Sequence, residues 1–223
     1  MPDGQYSFYL HSDDRTDIAA MATISTISQP LRGEFIRTAA TAGAVVYQVD
    51  ARLPALIPVF FAGQLSAVRL CAVMALVSGT WSSLTGLPDE PENGEAALPV
   101  SPETEYQRRR YTLTLQNGRS GERVESVLTE ASSRLRGDLL RNLIITGLAL
   151  HTTAPELPRL LASMPVPPTS VSELQALVQQ MAGTADVNRV AAAVPDTPAA
   201  SAAPVSGSDT REIKKNMRRA FGD

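Results

Sequence analysis

The chain says the same thing twice. Leu31-Arg32-Gly33-Glu34-Phe35-Ile36-Arg37 is answered by Leu135-Arg136-Gly137-Asp138-Leu139-Leu140-Arg141, 104 residues later. The offset then holds without a gap: Gly43 with Gly147, Leu53-Pro54 with Leu157-Pro158, Leu56 with Leu160, Ser66 with Ser170, Leu70 with Leu174, Gly79 with Gly183. One register kept across 49 positions means two copies of a single small unit. Any fold must therefore accommodate two similar units, and any function must use the doubling.

The 223 residues suffice for one or two domains. Aromatic residues are few, so the core must be aliphatic and Ala-rich. Cys71 is the sole cysteine, which excludes an internal disulfide and fits a reducing compartment. The start, MPDGQYS, lacks a basic and then apolar signal region. The longest uncharged apolar stretch, Leu53 to Val68, contains Pro54 and Pro58 and falls short of the roughly 18 residues of a membrane span. A soluble, cytoplasmic protein with no membrane partner is expected.

Net charge is −3, but the charges are unevenly placed. Asp89, Glu90, Glu92, Glu95, Glu103 and Glu105 form an acidic run without a basic residue. Directly after it come Arg108, Arg109 and Arg110, then Arg119, Arg123, Arg134, Arg136 and Arg141. An acidic linker thus masks a basic second unit, though any one of these arginines taken singly reads more readily as part of a solvated surface.

Tyr6, Phe8 and Leu10 alternate with Ser7, Tyr9 and His11, the two-residue period of a half-buried strand. Asp13, Asp14 or Thr16 can cap a helix bearing Ile18, Met21, Ala22 and Ile27 at helical spacing. After Gln29-Pro30 a longer helix runs from about Leu31 to Val49. Shorter helices fit Pro54 to Phe61 and Ser66 to Val77, with Gly79 as a stop. The second unit repeats the plan: Tyr111, Leu113 and Leu115 alternate with Arg110, Thr112, Thr114 and Gln116. Gly118 and Gly121 separate this strand from a helix lined by Val124, Val127 and Leu128, and a longer helix runs from Leu135 to Thr152. The last helix covers Ser170 to Met181. The two strands align one residue out of the later register, as a change of one residue in loop length requires.

These readings divide the chain into a first unit (1–79), an acidic linker (80–105), a second unit (106–187), a flexible Ala/Pro/Ser-rich linker (188–207) and a C-terminal helix (208–223). In that last segment Ile213, Met217 and Phe221 share one helical face, and both lysines of the chain, Lys214 and Lys215, lie beside them. Such a face suits docking into a groove of a partner.

A strand followed by two helices cannot bury its apolar side alone. Two copies can, if their strands pair antiparallel over interlocked helices. The expected fold is mainly α: two tandem ribbon-helix-helix units pairing in cis as a pseudo-dimer. A two-stranded ribbon enters the major groove of double-stranded DNA. Its polar face offers Ser7, Tyr9, His11, Arg110, Thr112, Thr114 and Gln116 to base edges. Arg32-Gly33 and Arg136-Gly137 open the longer helices, where free N–H groups and the positive dipole end favour a phosphate. The alternatives at these positions are a solvated strand pair and ordinary surface helix starts. His151 reads as a helix-end cap or packing residue, and Cys71 as core. Two distant histidines and one cysteine give no metal-ligand spacing, and no phosphate loop or nucleophile elbow is present. Neither an enzyme nor a cofactor is expected.

The segment LRGEFIRTAATAGAVVYQVDARLPALI, Leu31 to Ile57, resembles the core of the ParR family, the centromere-binding adaptors of actin-type plasmid partition systems. Arg32, Arg37, Ala39, Thr41-Ala42-Gly43, Tyr47, Asp50, Arg52 and Pro54 carry the resemblance. EIKKNMRRAF, Glu212 to Phe221, is similar to the family's C-terminal motor-binding peptide. The resemblance implies binding to centromere-like DNA repeats, self-assembly on them, repression of the protein's own operon, and attachment of the tail to a filament of the actin-like ATPase ParM. It also implies a departure, since the family pattern has one unit per chain and works as a homodimer. Two other readings stay open. One is a tandem ribbon-helix-helix repressor or accessory protein of conjugative transfer. The other is a helical scaffold that does not bind DNA.

Overall fold

The computed structural model describes residues 4–80 and 108–192. Strand β1 (Gln5–His11) leads into α1 (Arg15–Ser25), a 3-10 turn (Gln29–Leu31), α2 (Arg32–Val49), α3 (Leu53–Phe60) and α4 (Ala67–Ser78). Strand β2 (Arg108–Thr114) leads into α5 (Arg119–Glu130), α6 (Arg136–Thr153), α7 (Leu157–Ser163) and α8 (Val171–Ala192). The chain divides into two compact units, 1–187 and 188–223. The first contains both strands and the helical core; of the second only the end of α8 is described. The acidic run from Asp89 to Glu105 and the tail residues Ile213, Lys214, Lys215, Met217 and Phe221 lie outside the described residues.

Local chemistry sets the element ends. Asp14 caps α1 by accepting from the backbone N–H groups of Thr16 (2.8 Å) and Asp17 (3.1 Å). Ser66 caps α4, which stops at Gly79 in the left-handed region at φ 71°. Pro54 and Pro158 sit in the first turns of α3 and α7, where a missing N–H costs nothing. Gly183, the counterpart of Gly79, stays helical instead. The Ala-rich segment around it carries α8 on to Ala192, beyond the Met181 end read from the sequence.

The strands pair antiparallel, Gln5 opposite Thr114 through His11 opposite Arg108. Phe8 and Leu10 of β1, with Leu113 and the following Leu115, point inward and are buried, and Phe8 stacks on the facing Tyr111 at 5.2 Å. Each such side chain contributes about 1.5–3 kcal/mol by leaving water. Beneath the ribbon, α2 and α6 form the most extensive helix pair and are buried for most of their length. They approach backbone to backbone. A methyl on Gly43 would overlap the Leu143 carbonyl, and one on Gly147 would overlap that of Ala39.

These contacts are reciprocal, because Ala39 and Leu143 are themselves repeat mates. The same holds for Thr16 Oγ1, which donates to the Pro58 carbonyl (3.2 Å), and Ser120 Oγ, which donates to that of Ala162 (3.2 Å). In the ribbon, Ser7 faces its own repeat mate Thr112. The two halves of one chain are therefore related by a pseudo-twofold axis through the Ser7–Thr112 pair. The structure is a ribbon-helix-helix pseudo-dimer made in cis. Counted from the repeat mates His11 and Gln116 to the helix starts Arg15 and Arg119, the first connection is one residue longer than the second, and this takes up the one-residue shift between strand and helix registers.

Candidate nucleic-acid interface

Alternation along the ribbon sends Gln5, Ser7, Tyr9 and His11 of β1 and Arg108, Arg110, Thr112 and Thr114 of β2 to the outer face. All four β2 side chains are exposed. Two arginines lie across the ribbon. Arg110 donates from Nε and Nη2 to Ser7 Oγ at 3.2 and 3.0 Å, and the Arg108 guanidinium stacks 3.5 Å above the Tyr9 ring. Arg108 and Gln5 add to the base-contact candidates that the sequence suggests. Extending the alternation two residues outward from each strand reaches them. The whole triple arginine lies inside β2, and Arg109 turns to the other face, its guanidinium 5.4 Å from the Tyr111 ring centre. Burial holds the Tyr111 phenol above its ordinary pKa, against the opposing pull of the Arg109 and Arg32 charges.

Ser7, Tyr9, Arg110, Thr112 and Thr114 thus share one surface. His11 lies at its end and is tied inward: its backbone N–H donates to Asp17 Oδ2 (2.9 Å), and its Nδ1 is 3.3 Å from the same oxygen. Gln116 falls beyond the end of β2, in the turn before α5, and is exposed there. Gly118 is the turn residue that precedes α5, at φ 132°. Gly121, read as part of the same separation, lies within α5 against the Gln116 carbonyl.

The Leu-Arg-Gly starts of α2 and α6 occupy equivalent places at the two ends of the helix pair, and neither start has a side-chain cap. Their arginines face elsewhere. Arg32 donates from Nε to the Ile27 carbonyl (2.8 Å) and from Nη2 to that of Ser25 (3.3 Å). Arg136 donates from Nε to the carbonyls of Leu128 (2.9 Å) and Ala131 (3.2 Å). Each guanidinium thus closes the chain leaving the preceding helix, where free carbonyls gather negative charge. Gly33 is exposed, whereas Gly137 sits near β1, with room for a methyl only in contact with the Ser7 carbonyl.

A buried ion pair joins the two halves below one end of the ribbon. Asp17, fully buried, accepts from Arg141 Nε at 2.6 Å, and Arg141 Nη2 reaches Asp14 Oδ2 at 3.1 Å. No periodicity points to it, because the partners are 124 residues apart. His151 ends α6 with Nδ1 3.1 Å from the Pro155 carbonyl and its ring edge-on to Phe35. Cys71 is buried, which pushes its thiol pKa up against the opposing hydrogen bond from Gln179. Among the described residues no group of His, Cys, Asp and Glu could hold a metal ion, and no helix is long and apolar enough to cross a membrane.

Fold and surface together define a single-chain ribbon-helix-helix protein with a polar, arginine-bearing ribbon. A family model described as plasmid stability protein matches residues 4–74 and again residues 109–178, so each match spans one strand and the helices that follow it. The chain belongs to this plasmid stability family, and its role is one of plasmid maintenance. No curated protein and no solved structure matches it.

Proposed function

We propose that the protein is a centromere-binding adaptor of ParR type, which holds plasmid DNA through its ribbon and an actin-like ParM filament through its C-terminal helix. The observation that carries the DNA half is the Ser7–Thr112 pairing at the pseudo-twofold axis. It places both strands of a groove-sized ribbon in one chain, with Arg108, Arg110, Thr112 and Thr114 exposed on it. Mates about the axis differ in chemistry: Gln5 corresponds to Arg110, and Tyr9 to Thr114. A target read by this ribbon is non-palindromic, one half facing Gln5, Ser7 and Tyr9 and the other facing Arg110, Thr112 and Thr114. On DNA repeats the protein assembles into arrays and represses its own operon. It hydrolyses nothing itself and needs no cofactor.

Gel shifts on DNA from upstream of its own operon, over a salt series, test the DNA half. Binding should weaken steeply with salt, by a slope of about 0.9 per phosphate neutralised. Absent or salt-insensitive binding favours a protein scaffold instead. Mass measurement in solution should give a monomer without DNA, and ribbons formed only between chains would overturn the cis pairing. A peptide spanning Ser208 to Asp223 tests the motor half. It should bind the actin-like ATPase encoded beside this protein, and replacing Ile213 or Phe221 by a charged residue should abolish that binding. A tail that binds no ATPase, with DNA binding intact, leaves the repressor or conjugative accessory reading.

A further inference from the structure

The pseudo-twofold axis maps the buried Asp17–Arg141 site onto a place where its acids are missing. Arg37 is the repeat mate of Arg141, Gly118 that of Asp14, and Gly121 that of Asp17. At the first site two carboxylates hold the arginine across the interface. At the second, both carboxylates are replaced by glycine. Arg37 turns back to Glu34 on its own helix, at 2.7 Å. Asp14 caps α1, whereas Gly118 leaves α5 without a side-chain cap.

The second site is not filled in. A cavity of about 330 Å³ opens there, lined by Arg37, Arg119 and Arg159, with Glu34 the only acid among the described residues, and by Thr38, Asn117 and Ser120 among its other polar groups. Arg119 and Arg159 have no ion-pair partner among the described residues. Among the described residues, three arginines against one glutamate give the lining a charge near +2, in a recess where field lines concentrate. Nor is an internal carboxylate readily restored. A side chain on Gly121 would overlap the Gln116 carbonyl, and Gly118 holds φ 132°, which aspartate rarely adopts.

We infer that this cavity is a binding site for a small dianionic oxyanion, a phosphate or a dicarboxylate, which takes the place held at the other end by Asp14 and Asp17. Arginine forks bind both chemistries through paired N–H donors. The site exists on one half only, so a single chain binds one such ligand.

Amide and arginine Nε–H resonances of the full chain, followed by NMR at pH 8 and constant ionic strength, test this. The probes are inorganic phosphate and succinate, with chloride as control. Saturable shifts at Arg37, Ser120 and Gly121, with Asp17 and Arg141 unmoved, are expected for at least one probe. Phosphate alone or succinate alone identifies the preferred chemistry. Arg119→Gln and Arg159→Gln, both at exposed positions, should each weaken binding by about tenfold with unchanged thermal melting. Shifts that chloride reproduces, that persist in both variants, or that appear equally at Asp17 overturn the inference. So does a response of these residues to duplex DNA with none to either salt, an outcome that leaves the DNA reading intact.

Discussion

Gly43 and Leu143 meet backbone to backbone where α2 crosses α6, and the repeat returns the contact as Gly147 against Ala39. No side chain fits between the helices at either point. Gly43→Ala and Gly147→Ala should each destabilise the fold by about 1–3 kcal/mol or more through overpacking. Gly33→Ala, where a methyl meets only the flexible end of Arg37, is the control and should be neutral or slightly stabilising. Urea denaturation of the three variants checks this, and equal effects at all three positions would show that the crossing is not tight.

The two mated arginines should differ sharply in value. Arg141→Leu strips buried Asp17 of its arginine and leaves it only the contacts with His11, which should cost about 3–5 kcal/mol. Arg37→Leu removes a pair with the exposed Glu34 on the same helix and should cost about 0.5 kcal/mol or less. Comparable denaturation midpoints for the two variants would contradict the asymmetry.

Thr146 is fully buried, and its hydroxyl has no hydrogen-bond partner among the described residues. Valine keeps the shape and removes the unmet polar group. Thr146→Val should raise stability by about 1 kcal/mol, the lower end of what an unsatisfied buried group costs. A fall in melting temperature would reveal a partner for the hydroxyl, such as an ordered water.

Two sets of arginines should separate by phenotype. Arg110→Gln and Arg108→Gln alter the exposed ribbon, so they should weaken DNA binding and leave melting unchanged. Arg32→Gln and Arg136→Gln release backbone carbonyls at helix ends and should lower stability by about 1 kcal/mol each. Parallel gel shifts and thermal melts distinguish the sets. Normal melting with lost DNA binding in Arg32→Gln would support the phosphate role read from the sequence.

Much of this architecture was legible because its determinants are local. The alternation Tyr6-Phe8-Leu10 has only one buried face, so the inner and outer sides of the ribbon were readable. Helix starts at Asp14 and Ser66 and the stop at Gly79 rest on bonds made within a few residues. What the sequence leaves open has local causes as well. Triple arginine reads as a surface run, which hides that the alternation extends to Arg108. The phosphate reading of Arg32 and Arg136 rests on position alone, and position does not show which way a long side chain turns.

The repeat at a constant offset, present in the sequence by itself, determined that two like units exist and that neither could bury its apolar face alone. Only the tertiary structure decided how they meet. Packing α2 against α6 at Gly43 and Gly147 placed Ser7 opposite its mate Thr112. The same packing brought Arg141 to Asp17 across 124 residues, and it left Arg37, Arg119 and Arg159 around an open cavity. Those outcomes depend on distances between residues far apart in the chain. Sequence spacing carries no information about such distances until the two halves have closed on one another.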